Sequence, residues 1–566
     1  MTDFDAIVVG SGMSGGWAAK ELCERGLKTL VLERGRQLTP QDDYKDMLDP
    51  WQREHLGRPT RAQIARQPIQ SSVYCYSGLT SQYFVDDIDH PYETAPGTGF
   101  TWRRGYHTGG RSMMWARQSY RLSPMDFEAN ARDGYGVDWP IRYEDLAPWY
   151  DHAERFAGIS GTAEGIAELP DGAFLPALGL NCAEERFRAG VEAAFPARRV
   201  IPGRTANLTR AGPQHAAIGR GQCQVRSRCE RGCSIGGYFN SNAGTLPAAR
   251  ATGNMTLATH AAAESLAHDP VTGRVTGVRV VDQRTRERRT YTGRIVFLNA
   301  SAINSALILL ASADEANPRG LANASDQVGR NLMDHCEGAA VKGYMAGPGL
   351  DDAYVWGHRP NGFYIPRFRN VRGDAQDFAR GYGYQGGAVR MGAHGAKPGV
   401  GADFKDANRR PGAWMFWLKA FGETLPNPDN RVTVHPTRTD RWGLPIARLD
   451  VRFGANEQRL MEQASKDALA MARAGGMTVT QSTEDAPVRL STPGDAIHEM
   501  GTARMGRDPR TSVLDGFCRS HDVPNLFVSD GSAMTSSACQ NPSLTYMALS
   551  ARAANHAADL MQAGAI

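Results

Sequence analysis

The chain has 566 residues, of which 41% are hydrophobic and 22% charged, an ordinary composition for a folded protein. Its 64 basic and 60 acidic residues leave a net charge of +4, which is too balanced to suggest a nucleic-acid partner. No apolar run approaches the roughly 18 residues that a membrane span needs, so we expect no direct membrane span. A chain of this length exceeds one ordinary hydrophobic core, and we therefore expect two domains.

The first 34 residues predict a strand, a helix and a second strand. Apolar residues 6–9 are typical of a buried parallel strand, and helical spacing follows from Trp17 until it stops at Gly26. A second short strand, residues 29–32, ends at Glu33, where an acid can accept the hydroxyls of a ribose. This order is the βαβ pattern that binds dinucleotides, and it leaves open whether the dinucleotide is FAD or NAD.

Three glycines lie between the first strand and the helix, and each has a physical role. Gly10 makes the tight turn, Gly12 lets the backbone approach a pyrophosphate, and Gly15 lets the helix pack against the strand. The free N–H groups at the start of the helix favour the phosphates. Residues 39–100 follow as a long polar excursion, which we expect to pack over the nucleotide.

Four segments together resemble the glucose–methanol–choline (GMC) oxidoreductases, a family of FAD-dependent enzymes that oxidise alcohols and sugars. They are residues 5–34, 109–116, 296–310 and 497–554. The resemblance implies an α/β FAD-binding Rossmann-like domain, formed by residues 1–340 and 486–566, with an inserted α+β substrate domain, residues 341–485, that contains an antiparallel sheet. It implies FAD as cofactor, bound by Gly10, Gly12, Met13, Ser14, Gly15, Glu33, Arg34, Gly109, Gly110, Ser112, Trp115, Ala300, Asp530, Gly531, Pro542 and Thr545.

Met114 is a departure from some members of the family. In those relatives a histidine at this point, before the residue that corresponds to Trp115, bonds covalently to the flavin. A thioether is a poor nucleophile here, so we expect FAD to be held non-covalently. The local pattern is closer to the pyranose-oxidising branch than to the aliphatic alcohol oxidases.

Three of the nine cysteines lie close together, and the sequence leaves their role open. Cys223, Cys229 and Cys233 fall among glycines without an apolar period, which is not typical of core packing. An odd number of thiols argues against a simple disulfide, and zinc would need a fourth ligand, for which His215 is a candidate. Certain bacterial sugar dehydrogenases of the family resemble this segment and hold a [3Fe–4S] cluster. The alternatives are that cluster, zinc, or free or oxidised thiols.

The C-terminal block contains the predicted catalytic pair, His498 and Asn541. Oxidation of an alcohol to a ketone removes a hydride from carbon and a proton from oxygen, and the proton needs a base with a suitable pKa. In the family these roles belong to a histidine followed by a histidine or asparagine, and His498 and Asn541 occupy those positions. The resemblance places His335 near the flavin but outside catalysis, so we assign it a structural role.

The middle of the chain predicts β-structure. Residues 274–298 read as a β-hairpin that returns to the FAD domain, and alternating residues between about 340 and 485 predict the substrate sheet, with 432–435 and 446–451 as examples. Gln385 and Trp417 are candidate sugar contacts, as are Trp414 and Lys419. The two tryptophans are equally consistent with positions in the hydrophobic core.

The leading hypothesis is an FAD-dependent sugar or glycoside dehydrogenase that oxidises a ring hydroxyl, with C3 favoured by the resemblance to large subunits of bacterial glucoside 3-dehydrogenases. The alternatives are a sugar oxidase that uses oxygen and a hydroxynitrile lyase-like relative without redox chemistry. A dehydrogenase implies a small subunit and a cytochrome c-type electron acceptor as partners. The first strand begins at Ala6, which leaves no room for a signal peptide. We therefore expect the protein to be cytoplasmic as made, and periplasmic only by co-export with a partner.

Overall fold

The structure is a computed structural model that describes residues 2–350, 361–371, 373–390, 399–409, 412–483 and 488–566. The strands of these ranges are β1 Phe4–Val9, β2 Thr29–Leu32, β3 Glu93–Thr94, β4 Ser160–Gly161, β5 Leu175–Pro176, β6 Ile201–Pro202, β7 Met255–Ala258, β8 Ala261–Asp269, β9 Arg274–Asp282, β10 Arg288–Leu298, β11 Ala340–Met345, β12 Phe363–Ile365, β13 Tyr382–Arg390, β14 Trp414–Gly422, β15 Arg431–Thr439, β16 Pro445–Asp450, β17 Thr478–Gln481 and β18 Leu526–Phe527. The helices are α1 Met13–Glu24, α2 Pro40–Asp43, α3 Arg61–Arg66, α4 Pro124–Asp133, α5 Tyr143–Ala157, α6 Cys182–Ala194, α7 Pro213–Ala216, α8 Thr245–Ala251, α9 Ala302–Ala311, α10 Ala402–Arg409, α11 Ala455–Ala474 and α12 Ser543–Gln562. Within these ranges, none of the helices is both long and apolar enough to cross a bilayer.

The first sheet has the order β7–β2–β1–β10–β9–β8, and β18 pairs with β10. Strands β7, β2, β1 and β10 run parallel, as does β18 beside β10, whereas β9 and β8 continue the sheet antiparallel. Residues 6–9 of β1 are fully or almost fully buried, as a central parallel strand requires. The predicted βαβ unit and the predicted hairpin of β9 and β10 are confirmed.

Helix α1 begins at Met13, earlier than the predicted Trp17, and so includes two glycines. Gly15 is required by packing within this first turn, because a Cβ atom there would lie 1.9 Å from the carbonyl oxygen of Gly10. Helices α12 and α8 pack against α1, and α5 packs against α12. These elements and the first sheet enclose the larger hydrophobic core of the described residues.

The second sheet is antiparallel, with the order β17–β11–β14–β13–β12–β6. One of its faces packs on α11 and α6 to form a separate core. The fold class that the sequence predicts, an FAD-type Rossmann domain with an antiparallel sheet, is thereby confirmed. The domain boundaries remain a prediction, because the proposed junction between 485 and 486 lies outside the described residues.

The prediction for residues 432–435 and 446–451 is wrong. They do not belong to the six-stranded sheet; β15 and β16 pair with each other, and β16 pairs with β3 from the N-terminal excursion. Val432, Ala447 and Leu449 are buried in the larger core, against α9. Alternating hydrophobicity identified the strands correctly, but it carries no information about which sheet they join.

Candidate active site

A cavity of about 1580 Å³ is lined by residues of both main sheets. Ligand pockets usually measure about 300–1,000 Å³, so this volume can hold a large cofactor together with a substrate. Most of the predicted site residues line it: Gly10, Gly12, Met13, Ser14, Glu33, Arg34, Gly110, Ser112, Trp115, Ala300, Gln385, Trp417, His498, Asp530, Gly531, Asn541 and Pro542. The sequence therefore identified residues that are far apart in the chain and meet at one cavity.

The glycine-rich turn after β1 has the shape that a dinucleotide requires. Gly10 has a φ of +98°, and a Cβ atom there would lie 2.4 Å from the backbone oxygen of Asn299. A Cβ atom on Gly12, by contrast, would meet nothing closer than 3.9 Å, because that position faces the cavity. Gly10 is thus required by the turn itself, whereas Gly12 leaves space for a ligand.

Glu33 lies buried at the end of β2 and is held by two short contacts. The Ser11 hydroxyl donates to Glu33 Oε2 at 2.5 Å, and the Gly35 N–H donates to Oε1 at 2.9 Å. Burial raises the pKa of Glu33, while these donors favour its charged form. The side-chain nitrogen of Asn299 is also buried beside the cavity and has no hydrogen-bond partner among the described residues. An oriented acid, an unused donor and an open glycine together fit FAD.

Three predicted cofactor residues, Gly15, Gly109 and Thr545, do not line the cavity, and a fourth, Arg34, lines it but is already paired. Gly15 and Gly109 do not line the cavity, although Gly109 donates its N–H to Ser11 at 3.0 Å. Thr545 faces away, and its hydroxyl contacts Tyr150 at 2.8 Å. Arg34 does line the cavity, but its guanidinium donates to Asp440 at 2.5 Å. The first three therefore contribute to packing in this structure rather than to the cavity wall.

His498 and Asn541 lie in direct contact. The Asn541 side-chain nitrogen is 3.2 Å from His498 Nε2, and the Gln385 side-chain amide donates to Asn541 Oδ1 at 2.7 Å. The loop that carries His498 is fixed by Asp334, whose carboxylate accepts backbone N–H groups from Gly494, Ala496 and His498. The predicted catalytic pair and one predicted substrate contact thus form a single hydrogen-bonded group.

The protonation state of His498 is set by its surroundings. Burial, together with the neighbouring His335, Arg111 and Lys419, holds the pKa of His498 well below its usual 6.5. The imidazole is therefore neutral at pH 7 and able to accept a proton. His335 Nδ1 lies 2.9 Å from His498 Nδ1, a contact that the sequence did not reveal. His335 directly follows Asp334 in the sequence, and Asp334 anchors the loop that carries His498.

The open face of the second sheet forms the opposite wall. Trp417, Lys419 and Phe421 alternate along β14 and line the cavity, and Lys419 pairs with the buried Glu337 at 2.7 Å. Trp414, the other candidate tryptophan, projects from the opposite face, is 2% exposed and donates its indole N–H to the Leu350 oxygen at 3.0 Å. Trp414 therefore packs in the core and only borders the cavity, whereas Trp417 and Lys419 are available to a substrate.

The three clustered cysteines share a small cavity, but its volume does not suit a cluster. Cys223, Cys229 and Cys233 all line it; it measures about 20 Å³, room for about one water molecule. Asn207 donates to the sulfur atoms of Cys223 and Cys229, and the Gly237 N–H donates to that of Cys233 at 3.3 Å. Among the described residues, no group of three or more His, Cys, Asp or Glu side chains is arranged to hold a metal ion.

The zinc alternative loses its fourth ligand. His215 Nδ1 accepts from the Gly212 N–H at 3.1 Å, and Nε2 faces the Arg155 oxygen at 3.3 Å. Both ring nitrogens are thus engaged by backbone, and His215 does not line the cysteine cavity. The cysteines themselves form no disulfide among the described residues.

The comparisons with known proteins agree with the geometry. The N-terminal profile of the GMC oxidoreductases matches residues 4–337, and the C-terminal profile matches residues 426–550. The 2-methyl-1,2-propanediol dehydrogenase of Mycolicibacterium austroafricanum is 30% identical over 98% of this chain and 94% of its own. The fructose dehydrogenase large subunit of Gluconobacter japonicus is 27% identical, with 97% of each chain covered.

A solved structure supports the fold. Pyridoxine 4-oxidase from Mesorbium loti superposes with a TM-score of 0.60 at 19% identity, covering 98% of both chains. At this identity the likeness concerns the fold alone, whereas the sequence profiles span most of the chain. With the dinucleotide turn, the cavity and the two profiles in place, the chain belongs to the GMC oxidoreductases and is an FAD-dependent enzyme that acts on CH–OH groups.

Proposed function

We propose that the enzyme is a dehydrogenase of a sugar or glycoside that oxidises a ring hydroxyl to a ketone, with C3 as the favoured position. The observation that carries this proposal is the placement of His498 and Asn541. They lie at the junction of the dinucleotide cavity and the open face of the second sheet, where Trp417 and Lys419 are available to a substrate. When bound, FAD supplies the acceptor for the hydride that leaves the substrate carbon.

The proton chemistry belongs to His498 and Asn541. A substrate hydroxyl placed beside His498 Nε2 gives its proton to that nitrogen, which is neutral because of its lowered pKa. Asn541 can donate to the same oxygen as negative charge develops, since its side-chain nitrogen lies 3.2 Å from His498 Nε2 and is released from that contact when the hydroxyl binds. Gln385 holds the Asn541 amide through Oδ1, so the donor stays directed at the reacting oxygen.

A sugar suits the remainder of the wall. The Trp417 indole offers an apolar face on which the C–H side of a pyranose can stack, and Lys419 with Glu337 offers a donor and an acceptor to neighbouring hydroxyls. Two relatives are C-glycoside 3-oxidases by name, one of them 31% identical over 133 residues, which supports C3 as the position.

We also propose that Cys223, Cys229 and Cys233 hold a [3Fe–4S] cluster, for which their cavity of about 20 Å³ would have to open, and that the loaded protein passes electrons to a small subunit and a cytochrome c-type acceptor. Three thiols that share one cavity and receive N–H donors are the support from this chain. The names of two relatives, a fructose dehydrogenase large subunit and a gluconate 2-dehydrogenase flavoprotein, support partner subunits.

An oxidase is the second candidate, because paromamine 6'-oxidase is also a relative, at 27% identity over 97% of this chain. One experiment separates the two. The FAD-loaded protein is titrated without air with methyl glucosides, D-fructose and an aliphatic diol, and the flavin absorbance is followed. We expect a glucoside to bleach the flavin and air to restore it slowly. Rapid recovery in air would support the oxidase, and bleaching by the diol alone would exclude the sugar assignment.

A further inference from the structure

A second histidine lies directly behind His498. The two Nδ1 atoms of His498 and His335 are 2.9 Å apart, and the ring planes cross at 77°. Two bare nitrogens repel each other at this distance, so one of the two Nδ1 atoms must carry a hydrogen. Which of them carries it determines which nitrogen of His498 presents a lone pair to the cavity.

A backbone carbonyl on the other side of the His335 ring determines which nitrogen carries the hydrogen. His335 Nε2 faces the carbonyl oxygen of Ser537 at 3.4 Å. A carbonyl oxygen can only accept, so Nε2 of His335 must carry a hydrogen. His335 is completely buried, and burial lowers its pKa to about 4, so that the ring holds only one proton at neutral pH. Its Nδ1 is consequently a bare acceptor.

The bare Nδ1 of His335 in turn determines the protonation of His498. Its Nδ1 must donate to His335, and its Nε2 must be unprotonated in the neutral ring. The contact on the other side agrees, because Asn541 presents a side-chain nitrogen, a donor, to His498 Nε2. Hydrogen bonds thus run in one direction from Gln385 through Asn541, His498 and His335 to the Ser537 carbonyl.

We propose that His335 is a positioning residue that keeps His498 in the Nδ1–H tautomer, so that Nε2 retains its lone pair. Asn541 donates to this lone pair here, and a substrate hydroxyl takes the place of that donor when it binds. When Nε2 takes the hydroxyl proton, His498 becomes an imidazolium whose Nδ1–H still donates to His335, and His335 keeps its own proton on Nε2. The new charge is therefore stabilised by a neutral ring. This inference rests on the proposed role of His498 as base only for its catalytic consequence, and the tautomer itself is independent of that role.

The charged groups around the two histidines do not bind Nδ1 of His498. Asp334 binds the backbone N–H of His498, Arg111 pairs with Glu499 at 2.6 Å, and Lys419 pairs with Glu337. The ring contact at Nδ1 therefore comes from His335, while Arg111 and Lys419 act on His498 through their charge.

Nitrogen-15 NMR of histidine-labelled, FAD-loaded protein tests the tautomer without any substrate. The imidazole resonances of His498, assigned by their loss in His498→Gln, should show a protonated Nδ1 and a bare Nε2 at pH 7. In His335→Asn the amide oxygen can still accept from Nδ1, so the tautomer should persist. In His335→Leu the two tautomers should mix. A protonated Nε2 in the wild-type protein overturns the inference, even if both variants fail to fold.

Kinetics provide the second measurement. With whichever compound of the panel reduces the flavin, His335→Leu should reduce it about 10- to 100-fold more slowly, the usual worth of a hydrogen bond to a charged group, and His335→Asn should restore most of the rate. KM should change little, and FAD content should match the wild type. Equal rates in His335→Leu and wild type would contradict the inference. If no compound of the panel reduces the flavin, the proposed substrate is wrong while the NMR result still stands.

Discussion

Asn541 and His498 contact each other side chain to side chain, 3.2 Å apart, although 43 residues separate them in the chain. Asn541 lies between β18 and α12, and His498 lies in the loop that Asp334 anchors. The structure thus brings an amide donor and a neutral imidazole to the same point of the cavity wall, where a substrate oxygen can bind both.

Removal of the base should slow flavin reduction. We expect His498→Ala to bind FAD but to reduce it about 10²- to 10⁴-fold more slowly in anaerobic stopped-flow experiments, the usual contribution of a positioned base. His521→Ala is the matched control, because His521 does not line the cavity. A near-normal rate in His498→Ala would remove this residue from the role of base.

The flavin should be released by acid. Met114 lines the cavity where some relatives carry an attaching histidine, and a thioether does not form that bond. After acid precipitation and centrifugation, we expect the yellow colour in the supernatant. Colour that stays with the pellet would show a covalent bond to another residue.

The cysteine cluster should contain iron. In protein prepared without air, we expect iron and acid-labile sulfide, which Cys229→Ser loses while sugars still reduce its flavin. Cys182→Ser serves as the control, since Cys182 lies at the start of α6, outside the segment that carries Cys223, Cys229 and Cys233. The absence of iron from wild-type protein, combined with fast reoxidation by air, would favour the oxidase.

Sugar binding should depend on Trp417. Loss of one stacking ring in Trp417→Ala should raise KM for the sugar by about 3- to 10-fold, with a smaller effect on kcat. Met415→Ala is a suitable control because Met415 projects from the same face of β14 but does not line the cavity. An unchanged KM in Trp417→Ala would place the sugar elsewhere.

The contribution of His335 to stability should fall on mild acidification. His335 is neutral and buried, and its pKa drops from 6.5 to about 4 on folding, so the unfolded chain binds the proton more readily. Its contribution is complete above about pH 6.5 and is lost as pH falls towards 4, by about 3 kcal/mol in total. Urea unfolding at several pH values measures this slope, which should be shallower in His335→Asn. Equal slopes would show that other groups control the acid response.

The sequence predicted the cofactor turn well because local geometry demands particular residue types there. Gly10 needs a positive φ, and Gly12 must leave a face open, so both are visible as glycines in a strand–helix context. His498 and Asn541 were predicted from the family resemblance, which supplies the long-range pairing that residue types alone do not contain.

The orientation of other candidate residues depends on the fold. Trp414 and Trp417 are three positions apart on one strand and therefore point to opposite faces, but the sequence does not show which face meets the cavity. Thr545 is similarly turned towards Tyr150 by the rotation of α12. His335 was assigned a structural role from the family resemblance. Its contact with His498, 163 positions away, appears only in the folded chain.

The cavity wall has a consequence for the biosynthesis of the enzyme. Its residues run from Val9 to Tyr546, so the wall is incomplete until almost the whole chain has left the ribosome. At about 5–20 residues per second, the first glycine turn waits roughly half a minute to two minutes for α12. The flavin must therefore be captured late, by a nearly finished chain. A chain truncated before α12 should thus yield colourless protein, even though every residue of the N-terminal βαβ unit is present.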